Sequence, residues 1–330
     1  MGEFELIERV FSRRAAAAPP RAEVALGIGD DCALLDVPRG QQLAISCDML
    51  VQGRHFLHDV DPAALGYKAL AVNLSDLAAL GAQPLAFTLA LALPPERARD
   101  AAWLDALADG LMGLAAEHHC ALIGGDTTAG PLNLCITILG YVPFQRTLRR
   151  DGARTGDELW ISGAPGQARL ALEALRGHVD LPPDLLTQAR QRLERPEPRI
   201  ALGLALRGVA TSCIDVSDGL AGDLGHVLRA SSAGARVDAD AAAGLLPPNA
   251  PLTPQQRYAF ALAGGDDYEL LFTAPPRRRR AVLDAAQTAA TPVTRIGCIT
   301  AAPGLVLHDA EGRAIAGDFA GFDHFAAPSA

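Results

Sequence analysis

At 330 residues the chain exceeds one typical core, so two domains are expected. A hydrophobic fraction of 49% fits a folded globular protein. The net charge of −9 argues against a nucleic-acid binder.

Residues 5–14, charged and amphipathic, read as a short helix and not as a signal peptide. LAISCD, residues 43–48, reads as a strand ending on Asp48. Asp61-Pro62 places an N-cap before a proline at N1, and the helix it opens runs to about Leu80, with Gly81 as its stop. Residues 85–93 form a buried strand, 96–118 a long Ala/Leu helix, CALIGG at 120–125 a strand into a glycine turn, and 132–143 a further strand. QRTLRRDGARTGD, residues 145–157, is polar and turn-rich and marks the boundary between a domain of residues 1–145 and one of 146–330. Beyond it come strands at 158–162 and TSCID, a helix at 167–177 and a Pro-Pro loop at 178–184. A helix at 199–207 and another opening at Ser217-Asp218 follow, with a strand at 235–239. The chain closes with strands at 268–274, 293–299 and 304–308 and a helix at 277–289. Helices and strands mixed in both halves mean an α/β or α+β fold.

No apolar run reaches the roughly 18 residues of a spanning helix. The six cysteines lack CxxC spacing, so no zinc or redox motif is readable, and most of them are expected to be small buried residues. A cytoplasmic protein with reduced thiols follows, with no membrane or nucleic-acid partner. The run Arg277 to Arg280 follows Pro275-Pro276 and reads as a solvated helix face.

Acidic residues cluster at abrupt junctions: GIGDD (27–31), SCD (46–48), GGDTT (124–128), DVSDG (215–219) and GGDDYE (264–269). Singly GIGDD reads as an ordinary Gly-Asp turn, GGDTT and GGDDYE are weak signals, and DVSDG is equally an anion-holding helix start or a favourable first-turn acid. Carboxylates gathered in one pocket repel one another unless cations neutralise them, and hard oxygen ligands of this kind suit Mg²⁺ bound together with substrate phosphates. Asp76 lies in a helix of mostly apolar residues, AVNLSDLAAL, on one face with Asn73. A carboxylate there needs a partner, and metal ligation or an arginine would supply it. Lys68 is the only lysine, so there is no GxxxxGK[ST] loop and no protein-kinase lysine set. Phosphate charge would have to be offset by Mg²⁺, arginine and backbone N–H groups.

The ordered set GIGDDCALL, SCDMLVQGRHF, YKALAVNLSDLAALGA, LIGGDTT, DVSDGL and GGDDYEL resembles the thiamine-monophosphate kinase family over nearly the whole chain. The resemblance implies a two-domain fold like that of aminoimidazole ribonucleotide synthetase, with N-terminal domains pairing into a dimeric β-barrel and an active site at that interface. It implies transfer of phosphate from ATP to thiamine monophosphate, direct and in line, with several Mg²⁺ ions and no general base. Carried over position by position, metal contacts fall on Asp31, Ser46, Cys47, Asp48, Asp76, Asp126, Asp215 and Asp218. ATP contacts fall on Gly125, Asp126, Arg150 and Ser217, and substrate contacts on His55, Asp266 and Phe322. Three positions depart from the family pattern. Cys47 stands where Thr is usual, so a metal contact there runs through the backbone carbonyl. Asp266 stands for Glu, and Phe322 for Tyr or Trp. The rival readings are another ATP-dependent enzyme of the same superfamily and a non-catalytic nucleotide or thiamine-phosphate binder.

Overall fold

The computed structural model describes residues 3–317, 319 and 321. They form two compact units, one ending at residue 146 but without 78–81, the other made of 78–81 and the chain from 147 onward.

In the first unit α1 (Glu3–Ile7), a π-helical turn (Glu8–Ser12) and α2 (Arg13–Ala17) extend the expected short helix at both ends. A small antiparallel pair, β1 (Val24–Leu26) and β2 (Leu34–Leu35), flanks the GIGDD loop. The main elements are β3 (Gln41–Val51), α3 (Pro62–Leu80), β4 (Gln83–Leu93), α4 (Pro95–Arg99), α5 (Ala101–Glu117), β5 (Ala121–Ala129) and β6 (Asn133–Pro143). The four long strands form an open sheet in the order β3-β6-β4-β5, antiparallel except for β4 with β5. Period-two alternation sorts β3: Ala44 and Leu50 are buried and Ser46 and Asp48 half-buried on one face, while Leu43, Ile45, Cys47 and Met49 are exposed on the other. α3 starts and stops where its sequence says. The Asp61 carboxylate accepts the Ala64 N–H at 2.8 Å, and Gly81 takes φ +67°. α3 and α5 cross closely because both contacts are glycines. A Cβ on Gly66 would lie 2.0 Å from the Leu107 carbonyl oxygen, and one on Gly110 1.9 Å from that of Ala63.

Three local expectations need correction. Asp48 lies within β3, which continues to Val51 because its ladder with β6 is unbroken over eleven residue pairs. The helix expected over 96–118 is split at Asp100, whose ψ of 90° is non-helical and whose side chain caps α5 through the Trp103 N–H. GGDTT is no turn: β5 runs through both glycines, because β4 offers a parallel partner as far as Ala129.

The second unit has a six-stranded sheet in the order β12-β9-β11-β7-β10-β8. Its elements are β7 (Glu158–Ser162), α6 (Gln167–Leu175), α7 (Pro183–Glu194), α8 (Ile200–Ala205), β8 (Ser212–Asp215), α9 (Leu220–Ser231), β9 (Gly234–Asp238), α10 (Ala239–Ala243), α11 (Pro254–Ala263), β10 (Leu270–Ala274), α12 (Arg279–Thr288), β11 (Val293–Thr300) and β12 (Gly304–His308). β9 with β12 is its parallel pair. Leu159, Ile161, Ile214, Leu271 and Ile296 fill the core with Leu220 and Leu224 of α9. α7 was not expected, since its apolar stripe is thin: Leu185, Ala189 and Leu193 are buried at four-residue spacing among charged residues. α10 and α11 were also missed, although Thr253-Pro254 with Gln256 is a complete capping box.

Only Cys120 and Cys213 of the six cysteines are buried, and burial pushes the Cys120 thiol up to about 12 and raises that of Cys213. Cys32 and Cys47 are exposed, against expectation. The arginine run is partly tied down. Arg278 donates to the Gly208 and Val209 carbonyls and Arg279 pairs with the buried Glu158, while Arg280 pairs with Asp284. Among the described residues no helix is long and apolar enough to cross a membrane.

Candidate active site

The expected site residues fall in both units. In the first, the inward face of β3 meets α3. The Ser46 hydroxyl donates to the Asp76 carboxylate, and the Asp48 N–H donates to Asn73 Oδ1 at 3.0 Å. Ser46 thus meets the need of Asp76 for a polar partner, and three of the expected metal contacts stand together with Asn73. Cys47 projects from the opposite face of β3, where its sulfur lies 3.4 Å from that of Cys135 on β6. Burial first, and then the Cys47 thiol beside it, raises the Cys135 thiol to about 11. His55 closes a turn after β3: its Nδ1 accepts the Val51 N–H at 3.0 Å, and its carbonyl accepts from Lys68 at 3.3 Å. The single lysine is therefore a buried turn clamp.

Asp31 and Asp126 belong to a second grouping in the same unit. Both line a cavity of about 540 Å³ with Gly29, Cys32, Gly124 and Gly125. Asp31 is exposed, and its N–H donates to the Asp30 side chain at 2.8 Å. Gly125 has φ +152°, and a Cβ there would lie 2.0 Å from the Leu89 carbonyl oxygen, so the strand reaches Asp126 only through glycine. Among the described residues no three His, Cys, Asp or Glu side chains come close enough to hold a metal ion. The reason lies in the register. Asp48 pairs with Ile136, Ile136 with Leu89 and Leu89 with Gly125. Asp48 and Asp126 therefore stand on opposite edge strands, three strand spacings or roughly 14 Å apart.

In the second unit Asp215 is buried at the end of β8. The helix does not open at Ser217 but at Leu220, because Asp223 of its first turn accepts the N–H groups of Ser217, Asp218 and Gly219 at 3.0, 3.1 and 3.2 Å. Burial is the main influence on Asp223 and lifts its pKa to about 6, against the pull of those amides. The GGDDYE loop is laced to this one. The Asp266 N–H donates to the Ser217 carbonyl and the Tyr268 N–H to that of Val216, both at 2.8 Å, and the Val216 N–H donates to the Glu269 carbonyl at 2.9 Å. Asp266 and Tyr268 take φ of +60° and +51°, conformations that non-glycine residues hold only when the surroundings impose them. Asp267 accepts the Gly166 N–H with both oxygens, at 2.8 and 2.9 Å. Arg150 is exposed, near enough to His226 to help burial and Arg229 lower its pKa. Phe322 lies outside the described residues. A Cβ on Gly321 would lie 3.4 Å from the Asp218 carbonyl oxygen, so the chain leading to Phe322 passes this loop.

Each grouping contains carboxylate oxygens, which are hard donors by their chemistry. The sequence reading placed Asn73 on one face with Asp76, and Asp267 and Glu269 within GGDDYE, but gave none of them a role, and it missed Asp223 and Arg199. Asp223 left a signal, as an acid four residues after a glycine at a helix start.

The family models described as AIR synthase related protein, N-terminal domain, and AIR synthase related protein, C-terminal domain, match residues 29–142 and 154–310. Thiamine-monophosphate kinase of Escherichia coli (strain K12) is 47% identical over 335 residues, covering 99% of each chain. The crystal structure of thiamine-monophosphate kinase from Stenotrophomonas maltophilia K279a superposes with a TM-score of 0.83 at 42% identity, covering 96% of this chain and 98% of that one. A structure described as AaThiL complexed with AMPPCP and TMP superposes with a TM-score of 0.73 at 26% identity, covering 98% and 97%. With an AIR synthase-like α/β architecture in both units and a full-length likeness well above chance, the chain belongs to the thiamine-monophosphate kinase family.

Proposed function

We propose that this chain transfers the terminal phosphoryl group of ATP to the phosphate of thiamine monophosphate, giving ADP and thiamine diphosphate. The observation that carries this reading is the end-to-end likeness to a thiamine-monophosphate kinase at 47% identity. The relative complexed with AMPPCP and TMP supports the substrate pair. The acceptor oxygen is already anionic, so transfer in line needs no general base. What the chain must supply is position and charge. Lys68 is buried against the His55 carbonyl, so the neutralising charge falls to arginine, backbone amides and cations. Mg²⁺ bound at Ser46, Asp48, Asp76 and Asp126, with Asp31, Asp215 and Asp218, would offset the repulsion between the two phosphates. Cys47 would contribute its carbonyl. The bare backbone of Gly125 gives a phosphate close approach, and Arg150 and Ser217 offer donors to ATP. His55, Asp266 and Phe322 fall to the thiamine phosphate.

A homodimer is part of the same reading. Asp48 and Asp126 on opposite edges of one sheet are too far apart to share an ion. Closing β3 of one copy against β5 of another, as in a shared barrel, would bring them together. The exposed Leu43, Ile45 and Met49 on the open face supply apolar surface for that pairing. The test is ADP release with ATP, Mg²⁺ and thiamine monophosphate, with unphosphorylated thiamine as control acceptor. Thiamine diphosphate formed only from the monophosphate is the expected result, and no turnover by folded protein refutes the activity. Sedimentation velocity tests the pairing, and a monomer that turns over at full rate refutes it.

A further inference from the structure

We propose that Ser231, the last residue of α9, is a positioning residue for ATP: its hydroxyl holds the backbone turn that carries Arg150 and so sets where that guanidinium reaches. This rests on the function proposed above, and within it on Arg150 as a contact to ATP.

Arg150 opens a short 3-10 turn that ends at Gly152, shortly before β7. Its side chain is long and exposed, so the guanidinium keeps one place only as well as the backbone beneath it is held. Three contacts hold that backbone. The Arg149 carbonyl accepts the Cys213 N–H of β8 at 2.9 Å. Gly152 is pressed against the residue before β8, where a Cβ would collide with the Thr211 carbonyl oxygen. The third contact comes from α9. The Ser231 hydroxyl donates to the Arg150 carbonyl at 2.9 Å and accepts the Ala153 N–H at 3.2 Å. That carbonyl and that N–H are the pair that closes an i to i+3 turn, and one hydroxyl engages both. The first two contacts survive loss of the third, so removing the hydroxyl loosens Arg150 without detaching the turn from β8.

α9 thereby joins two ATP contacts. At its start Asp223 holds the amides of Ser217 and Asp218, and at its end Ser231 holds Arg150. A helix rises about 1.5 Å per residue and keeps its length, so the helix fixes the spacing between the Ser217 loop and the Arg150 backbone. His226, midway along α9, feels the charges of both Arg150 and Asp218, so both groups stand beside the same stretch of helix.

The experiment compares full-length Ser231→Ala, Ser231→Thr, Arg150→Ala and the Ser231→Ala, Arg150→Ala double variant with the parent chain. It reads kcat, the KM for ATP and for thiamine monophosphate, and the affinity for AMPPCP with Mg²⁺ by calorimetry, with urea unfolding as the check on folding. We expect Ser231→Ala to fold, to raise the KM for ATP and weaken AMPPCP by roughly three- to tenfold, the range of a lost hydrogen bond, and to leave the KM for thiamine monophosphate in place. Ser231→Thr keeps the hydroxyl and should restore most of the affinity. In the double variant the serine change should add nothing to the arginine change, because its effect runs through Arg150. Parent values for Ser231→Ala beside a weakened Arg150→Ala overturn the proposal. So do effects that multiply in the double variant, or a rise in both KM values together. An AMPPCP affinity unchanged in Arg150→Ala removes Arg150 from the ATP site, and the proposal falls with it. Calorimetry answers even for a chain that turns over no thiamine monophosphate, so failure of the kinase reading and failure of the positioning role are told apart.

Discussion

Glu269→Gln tests what holds the DVSDG and GGDDYE loops of the second unit in place. The Glu269 carboxylate is buried and receives Arg199 in a fork, Nε to Oε2 at 2.7 Å and Nη2 to Oε1 at 2.6 Å, with the Ser162 hydroxyl as a third donor. Arg199 is only 5% exposed. Burial works to lower its basicity, and the hydrogen bond and charge of Glu269 more than reverse this. Glutamine keeps the shape but turns one acceptor into a donor facing the guanidinium. Breaking a buried pair costs about 3–5 kcal/mol, because the remaining charge is left uncompensated. Arg199 still touches the exposed Glu197 at 2.8 Å, so the low end, about 3 kcal/mol, is expected. Urea unfolding followed by the fluorescence of Trp160, buried on neighbouring β7, reports on this unit, with Trp103 replaced by Phe to silence the other. Arg199→Met with Glu269→Leu removes both charges and should recover most of the loss. Because the Glu269 carbonyl accepts the Val216 N–H, the single variant should also raise the KM for ATP. A cost under about 1 kcal/mol, or a double variant as unstable as the single, would refute the reasoning.

Gly125→Ala would press a methyl group against the Leu89 carbonyl at a φ that alanine avoids. A loss of about 2–3 kcal/mol in a urea titration is expected, together with lost turnover. Asp126→Asn removes an exposed carboxylate on β5 and should abolish turnover while leaving the unfolding curve in place, and a folded variant with full activity would sink its role at the metal. Asp223 gives a pH signature. Its pKa rises from 3.8 to about 6 in the fold, so the folded chain holds that proton more tightly than the unfolded one. Its contribution to stability is therefore largest below pH 3.8 and is lost as pH rises to about 6, by about 3 kcal/mol at about 1.4 kcal/mol per pH unit. Asp223→Asn, which carries no such proton, should flatten the change in urea midpoint across that range.

Much of the architecture was legible because it rests on local rules. Asp61-Pro62 and Gly81 bound α3 through capping that needs no partner, and the alternation of 132–143 marks β6 wherever it pairs. The acidic motifs, their order and the missing lysines pointed to phosphate and Mg²⁺ because carboxylate chemistry is carried by residue type. The sequence could not place the residues in space. Whether GGDTT turns or runs on as strand depends on β4 lying parallel beside it. Whether Ser217 begins a helix depends on Asp223, which captures three amides and delays the first turn to Leu220. α7 stayed hidden because a stripe of three apolar side chains becomes a buried face only against a core supplied by distant residues. The same holds for the carboxylates. Chain order lists Asp48 and Asp126 as members of one set, but strand order sets them on opposite edges of a sheet, since hydrogen-bonded register and not sequence separation fixes distance across strands.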